Sequence, residues 1–357
     1  MQIPSLFTKK SKPVLGVDIG SSAVKVLLLE GSVEKPVLKA FGYAALNKGD
    51  VSNGVISKTD AVTQAVQRAI DTARIKVKAC AIAMPSQAVI MRTLSYPPGL
   101  NDRDLEQYVE TDAASQLPFP LEEVRLDYCK TGKLLANEDE EVLLVATKRD
   151  TSDVRLMVME HAGLAPAVLD VESLCVQRTV TALSQKLPKK GRGLLVAHYD
   201  FGAETMKLTV VRDREVLFDR EQAIGGAKLT QDIAKKFALT IEDAERRKRV
   251  ADLPSEYAQN ALKPFLMSTG EAAARLLQMF FTSTPFSRVD HIYISGGCAM
   301  LPGMAETMIQ YTDSSVETVK LETLLGSGSK TLYKQFERDS SMYSIAFGLA
   351  LRAFAKS

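Results

Sequence analysis

Two short stretches hold the residue types from which a phosphate-binding site is made. "GVDIGSSAVKVLLLE" begins at residue 16 and "VAHYDFGAETMKLTVV" at residue 196. The first offers Asp18, Gly20, Ser21, Ser22 and Lys25; the second offers Asp200, Gly202, Ala203 and Lys207. Asp18, Gly20 and Lys25 recur as Asp200, Gly202 and Lys207, each at an offset of 182 residues. A glycine lets backbone approach a phosphate, and loop N–H groups and serine hydroxyls donate to its oxygens. An aspartate at a strand end suits a hydrated Mg2+, an ion that keeps most of its waters. A lysine neutralises a phosphate oxygen. A third stretch, "VDHIYISGGCAMLPGM" at 289–304, brings Gly296 and Gly297 to the end of an apolar run, where a base or ribose can lie against bare backbone. The competing reading is two structural hairpins with solvent-facing aspartates.

Other chemistries lack their residues. "GSGSKT" at 326–331 has Gly-Ser-Lys-Thr where a P-loop needs Gly-Lys-Thr, and reads as a flexible loop. His161, His198 and His291 make no metal-ligand spacing with Cys80, Cys129, Cys175 and Cys298. The cysteines are far apart, which predicts reduced thiols and a cytosolic setting.

The elements around these residues follow from periodicity. Both aspartate motifs read as strand, turn, strand, and each opens about half of the chain, which predicts a duplicated domain with its two loops facing each other. At 357 residues the chain is too long for one simple core. A net charge of +2 gives no long-range pull on nucleic acid. No run approaches the apolar length of a membrane span. "MQIPSLFTKKSK" has no signal-peptide core, and its Leu6, Phe7 and lysines predict a frayed basic tail. "DAVTQAVQRAIDTA", 60–73, has the spacing of a core-packed helix. Asn101 or Asp102 can cap a helix that turns Leu105, Val109 and Ala113 to one face and stops at Pro118 and Pro120. Strands over "VRLDYCKTG" and "EEVLLVATKRD" follow, then a helix from Thr151 to His161 with Val154, Met157 and Val158 turned inward. "KLPKKGR", 186–192, reads as a linker and "ERRKR", 245–249, as a solvated helix face.

Together these motifs resemble the actin-like ATPase superfamily. "VDIGSSAVK" is similar to its first phosphate loop, "YDFGAETMK" to its second, "ISGGCAMLPGM" to its adenosine loop and "SMYSIAFGLALRAF" to its C-terminal connecting helix. Within it, "GLNDRDLEQYVETDAASQLPFPLEEVRLDY", 99–128, resembles the PilM family of type IV pilus assembly. The resemblance implies an α/β, actin-like ATPase fold: two lobes with duplicated β-hairpin phosphate loops and an inserted α/β subdomain, as in FtsA and PilM. The first lobe would take 1–87, 164–190 and 338–357, interrupted by the inserted subdomain at 88–163; the second would take 191–225 and 285–337 around a smaller subdomain at 226–284.

ATP and Mg2+ are the implied ligands, the ion held through water by Asp18 and Asp200. "HAGLAPAVLDVESLCVQ" puts Glu172 at the water-polarising position, although a carboxylate there also suits a helix start. Glu245 and Lys248 would lie near the ribose or base. The implied role is a scaffold with at most slow ATPase activity. Its partner would be the cytoplasmic N-terminal peptide of PilN, in a groove between the first lobe and the inserted subdomain. Other platform components and pilus motor ATPases are further expected partners, self-association is open, and nucleic acid is not expected. The implied location is cytoplasmic, at the inner membrane only through partners. The alternatives are a small-molecule kinase and an FtsA-like division protein; the chain stops at "LRAFAKS", without the amphipathic helix of the latter.

Overall fold

The computed structural model describes residues 13–354; the basic tail with Leu6 and Phe7 lies outside them. Branched aliphatic residues build a meander of β1 (Leu15–Ile19), β2 (Ala23–Gly31) and β3 (Pro36–Ala45). A small hairpin follows, β4 (Val51–Ser52) and β5 (Val55–Ile56), then helix α1 (Thr59–Thr72). The helix buries Val62, Ala65, Val66 and Ala69 against the sheet, as its spacing predicts. Strand β6 (Ala79–Met84) pairs parallel with β1.

The inserted unit comprises β7 (Val89–Tyr96), α2 (Asp102–Gln116), β8 (Val124–Leu134), β9 (Glu140–Lys148) and α3 (Arg149–His161). Its sheet runs β7-β9-β8. Asn101 caps α2 by accepting the Asp104 N–H, and Leu105, Val109 and Ala113 pack on Leu94, Tyr96, Val142 and Leu144. Helix α3 departs from the expected face. Met157 points to solvent and Val154 is half-buried, while Ser152, Arg155, Val158 and Met159 are buried. Val158 and Met159 join the core of the first lobe, and the Gly54 carbonyl draws Arg155 inward, accepting from its guanidinium at 2.6 Å. A buried arginine inverts the hydropathy pattern from which the face was read.

Strand β10 (Ala165–Val171) and helix α4 (Glu172–Ser184) complete the first half, whose sheet order is β10-β6-β1-β2-β3. The second half contains β11 (Val196–Phe201), β12 (Met206–Arg212), β13 (Glu215–Gln222), α5 (Gly226–Lys236), α6 (Ile241–Arg249), α7 (Lys263–Ser283), β14 (His291–Ser295), α8 (Met304–Thr312) and β15 (Val316–Thr318). Its sheet, β13-β12-β11-β14-β15, is the same arrangement: an antiparallel meander whose first strand pairs parallel with a later one. Helices α9 (Lys330–Glu337) and α10 (Ser344–Ala350) end the described chain. The Ser329 hydroxyl caps α9, so "GSGSKT" is a helix start at its end rather than a loop throughout.

Helices α4 and α10 pack on each other between the two sheets, α10 on β1 and β2, α4 on β12 and β13. Close approach there needs bare backbone. A Cβ on Gly16 would collide with the α10 backbone at Ala346 and Ala350, and one on Gly348 with the Cys175 carbonyl. The resulting core joins Leu27 and Leu38, Val176 and Val180, Val196 and Tyr293, and Tyr343 and Phe347. Both aspartate turns project from this common base.

Candidate functional site

The two turns are built alike. The Gly20 N–H donates to the Ala23 carbonyl at 3.0 Å and the Gly202 N–H to Thr205 at 2.9 Å. Asp18 stands opposite Lys25 in one ladder and Asp200 opposite Lys207 in the other. Among the described residues, the N–H groups of Ser21, Ser22, Ala203 and Glu204 find no protein acceptor. Unclaimed donors on two turns have the chemistry that suits an anion.

The lysines differ. Lys25 Nζ pairs with Asp18 Oδ2 of its own turn at 2.7 Å. Lys207 instead crosses between the lobes to Glu172, at the start of α4, and lies 3.8 Å from Glu221. Asp200 accepts only a hydroxyl, from Ser295 at 3.2 Å. Burial pushes the carboxyl groups of Asp18 and Asp200 above the ordinary value, against the pull of Lys25 on both. Burial disfavours the Lys207 charge, yet Glu172, Asp219 and Glu221 hold its ammonium well above the ordinary lysine value.

Glycines shape the neighbouring surface. Gly225 and Gly226 open α5, whose first amides hold the second turn: Gly226 N–H to the Gly202 carbonyl at 3.0 Å, Ala227 N–H to that of Ala203 at 2.8 Å. Gly296 has φ +86°, and a Cβ there would meet the Asp200 carboxylate. Gly297 follows it beside Met342. Glu245 accepts from the Thr230 hydroxyl at 2.6 Å and from Lys248 and Arg249 at 2.6 and 2.8 Å. Burial works against its ionisation, but Lys248 and these hydrogen bonds bring the carboxyl down to about 2. Lys248 also reaches the Thr230 hydroxyl at 2.7 Å and the Gly226 carbonyl at 3.3 Å, which places both residues beside the start of α5. Burial pushes the nearby Cys298 thiol up to about 11, which favours its protonated form at neutral pH.

The structure thus brings Asp18, Lys25, Asp200, Glu172 and Lys207 within one another's field, sets Gly296 against the Asp200 carboxylate with Gly297 next to it, and sets Glu245 and Lys248 beside the start of α5. Lys207 and Ser295 are further members; the 182-residue offset marked Lys207, whereas nothing in the sequence marked Ser295. Among the described residues no three metal-ligating side chains cluster. Two carboxylates, buried beyond what their partners compensate, fit a cation that keeps its water, and the free amides fit phosphate.

The sequence matches the family described as "Type IV pilus assembly protein PilM" over residues 16–354. The chain belongs to the PilM family. A solved structure of a "PilM-PilN type IV pilus biogenesis complex" aligns over 97% of this chain and 100% of its own, at 25% identity and TM-score 0.80. The ethanolamine utilization protein EutJ of Carboxydothermus hydrogenoformans aligns over 95% of this chain and 89% of its own, at 15% identity and TM-score 0.57. The cell division protein FtsA of Bacillus subtilis (strain 168) is 21% identical over 258 residues, 66% of this chain and 57% of FtsA. The chain spans about half the length of the curated relatives it matches. Its fold is the actin-like one, as the sequence motifs predict. No described helix of this PilM-family chain is long and apolar enough to cross a membrane.

Proposed function

We propose that the chain is a nucleotide-binding scaffold of the type IV pilus platform, holding Mg-ATP between its lobes and the cytoplasmic N-terminal peptide of PilN against its inserted unit. The observation that carries this reading is the pair of matched turns with unclaimed amides, set around two buried carboxylates. Ser21, Ser22, Ala203 and Glu204 would offer N–H groups to the phosphates. Lys25 and the Asp200 and Asp18 carboxylates would set the charge, and the glycines at 225, 226 and 296 would leave room for the nucleoside, beside Glu245 and Lys248. A bound Mg2+ supplies neutralisation of phosphate charge. Asp200 is the freer of the two carboxylates to face the hydrated ion, since Lys25 already neutralises Asp18.

Glu172 is engaged with Lys207 and orients a water only if that pair opens. This favours a ligand that shapes the scaffold over one that is rapidly turned over.

The inserted unit has a face suited to a peptide. On one side of its sheet, α2 covers Leu94, Tyr96, Val142 and Leu144. On the other side Met91, Leu143 and Val145 are neighbours in register, half-buried and outside every core cluster among the described residues. Cys129 on the same face lies within the field of Arg352, which reaches Asp170 of the first lobe at 3.5 Å. An apolar strip walled by Arg352 and Asp170 suits a short amphipathic segment, and through it the protein would sit at the inner membrane.

The test is fluorescence anisotropy of a labelled PilN N-terminal peptide, titrated with the protein with and without Mg-ATP. Saturable binding with a nucleotide-dependent Kd is expected. No binding in either state would overturn the scaffold reading.

A further inference from the structure

The β4–β5 hairpin has no place in the nucleotide or peptide sites, yet three separate elements converge on its two-residue tip. Asn53 and Gly54 hold left-handed conformations, φ +49° and +74°, as an Asn-Gly hairpin turn requires. Gly54 also lies so close to Pro85 that a Cβ would meet its ring at 2.5 Å. The Gly54 carbonyl accepts from the buried Arg155 guanidinium of α3 at 2.6 Å. The Asn53 carbonyl accepts from Gln87 Nε2, at the entry to β7, at 2.8 Å. The entry to β7 and helix α3, which leads from the inserted sheet back into the core of the first lobe, are therefore both fastened to this tip.

The opposite side of the tip faces the second lobe. The Asn53 N–H donates to Glu204 Oε2 at 3.2 Å and the Ser52 hydroxyl to Oε1 at 3.5 Å. Glu204 belongs to the second turn, between Ala203 and Thr205, where the Ala203 and Glu204 amides find no acceptor among the described residues. The hairpin stem is fixed as well: the buried Asp50 accepts the Asn47 N–H at 2.8 Å, and its carbonyl accepts from Ser57 at 2.9 Å. The distances sort themselves. Contacts to the inserted unit are short, whereas those to Glu204 lie at or near the outer limit of a hydrogen bond. A tip fastened firmly on one side and loosely on the other moves with the first side and changes its grip on the second.

We infer that the Asn53–Gly54 turn transmits the position of the inserted unit to the second nucleotide loop, and that Glu204 is the positioning residue through which the loop receives it. The inference rests on the reading of that loop as nucleotide-binding only in its last step. Arg155 acts here through a backbone carbonyl, within the field of Glu172 and Asp18. Its lack of any carboxylate partner among the described salt bridges leaves that carbonyl as its anchor.

Hydrogen exchange of the full chain, read over segments 51–56 and 200–206, tests it in wild type and in Glu204→Ala, Glu204→Gln, Gln87→Ala and Arg155→Lys. Gln87 is exposed, so its truncation spares the core even if the Arg155 variant folds poorly. Gln87→Ala is expected to raise exchange of 200–206, in the other lobe, by about fivefold, the weight of one ordinary hydrogen bond, and to leave 226–236 unchanged. Glu204→Ala should do the same and weaken Mg-ATP binding several-fold; Glu204→Gln, which keeps an acceptor for Asn53, should restore both. Wild-type exchange over 200–206 in Gln87→Ala and Arg155→Lys alike would overturn the inference. Loosened exchange in a protein that binds no Mg-ATP would support the mechanical link while removing the nucleotide reading.

Discussion

The two lobes repeat one hairpin and use it differently. In the first, the lysine after the turn neutralises the aspartate before it, so the Asp18–Lys25 pair is closed within one ladder. In the second, the equivalent lysine leaves its own aspartate and crosses to Glu172 of the first lobe. One copy pairs its lysine with its own aspartate, although the field of Lys25 still reaches Asp200. The other sends its lysine across to the first lobe and leaves Asp200 with no ion pair among the described residues, the carboxylate to which the proposed function gives the ion.

The comparison breaks most visibly if the two aspartates behave alike. Asp18→Ala strands a buried lysine and is expected to destabilise the protein by about 4 kcal/mol. Asp200→Ala removes one hydroxyl partner and is expected to cost about 1 kcal/mol. Mg-ATP affinity should fall about 100-fold in Asp200→Ala, on the order of one lost ion-facing carboxylate. Urea unfolding and titration calorimetry on both variants check the pair, and equal losses on both axes would remove the distinction.

A second contrast lies one turn of sequence earlier. The 182-residue offset sets Gly16 against His198, both on strands covered by the paired helices α10 and α4. Gly16 is there because α10 presses on it. His198 is buried with both ring nitrogens unpartnered, and burial lowers its pKa to about 4. The folded state thus binds this proton less readily than the unfolded chain. Stability is fully present above the ordinary histidine value of 6.5 and is lost as pH falls through that value towards 4, by about 3 kcal/mol. Asp18 and Asp200, whose values are raised above the ordinary 3.8, act in the opposite sense, favouring the folded state as pH falls towards that value. His198→Phe should flatten the decline between pH 6.5 and 4 in thermal melts; an unchanged slope would assign the acid sensitivity elsewhere.

The smallest effect concerns the cleft mouth, where the Arg249 guanidinium of the second lobe sits 5.6 Å from the Tyr43 ring of the first. Tyr43→Leu, which leaves the Arg249–Glu245 pair in place, should cost about 0.5–1 kcal/mol of stability, the size of an exposed cation–π contact. A loss above that range in urea unfolding would make the pair a structural strut comparable with Lys207.

What was legible in the sequence was whatever is local or repeated. Asp18, Gly20 and Lys25 announce a turn by their spacing, and their echo at 200–207 announces the duplication. The Asn101 cap and the Leu105, Val109 and Ala113 face were readable because a solvated helix keeps its hydropathy period. Arg155 was not, since a buried charge held by a backbone carbonyl looks on paper like a solvent-facing residue, and it turned the expected Met157 face outward. The partner of Lys207 was hidden for another reason: the strand register points it at Asp200, whereas the choice of Glu172 depends on how two lobes meet. Ser329 shows the limit of motif reading, because a failed P-loop was still a good helix cap.

The helix that presses on Gly16 has a consequence for how the molecule is made. Strand β1 is synthesised long before α10, yet they lie in direct contact. A chain emerging in order carries its first sheet uncovered on that side until α10 has left the ribosome, so an early strand waits on a much later helix. Any cut before Ser344 would return the protein to that nascent condition, with both lobes present and the wedge between them missing.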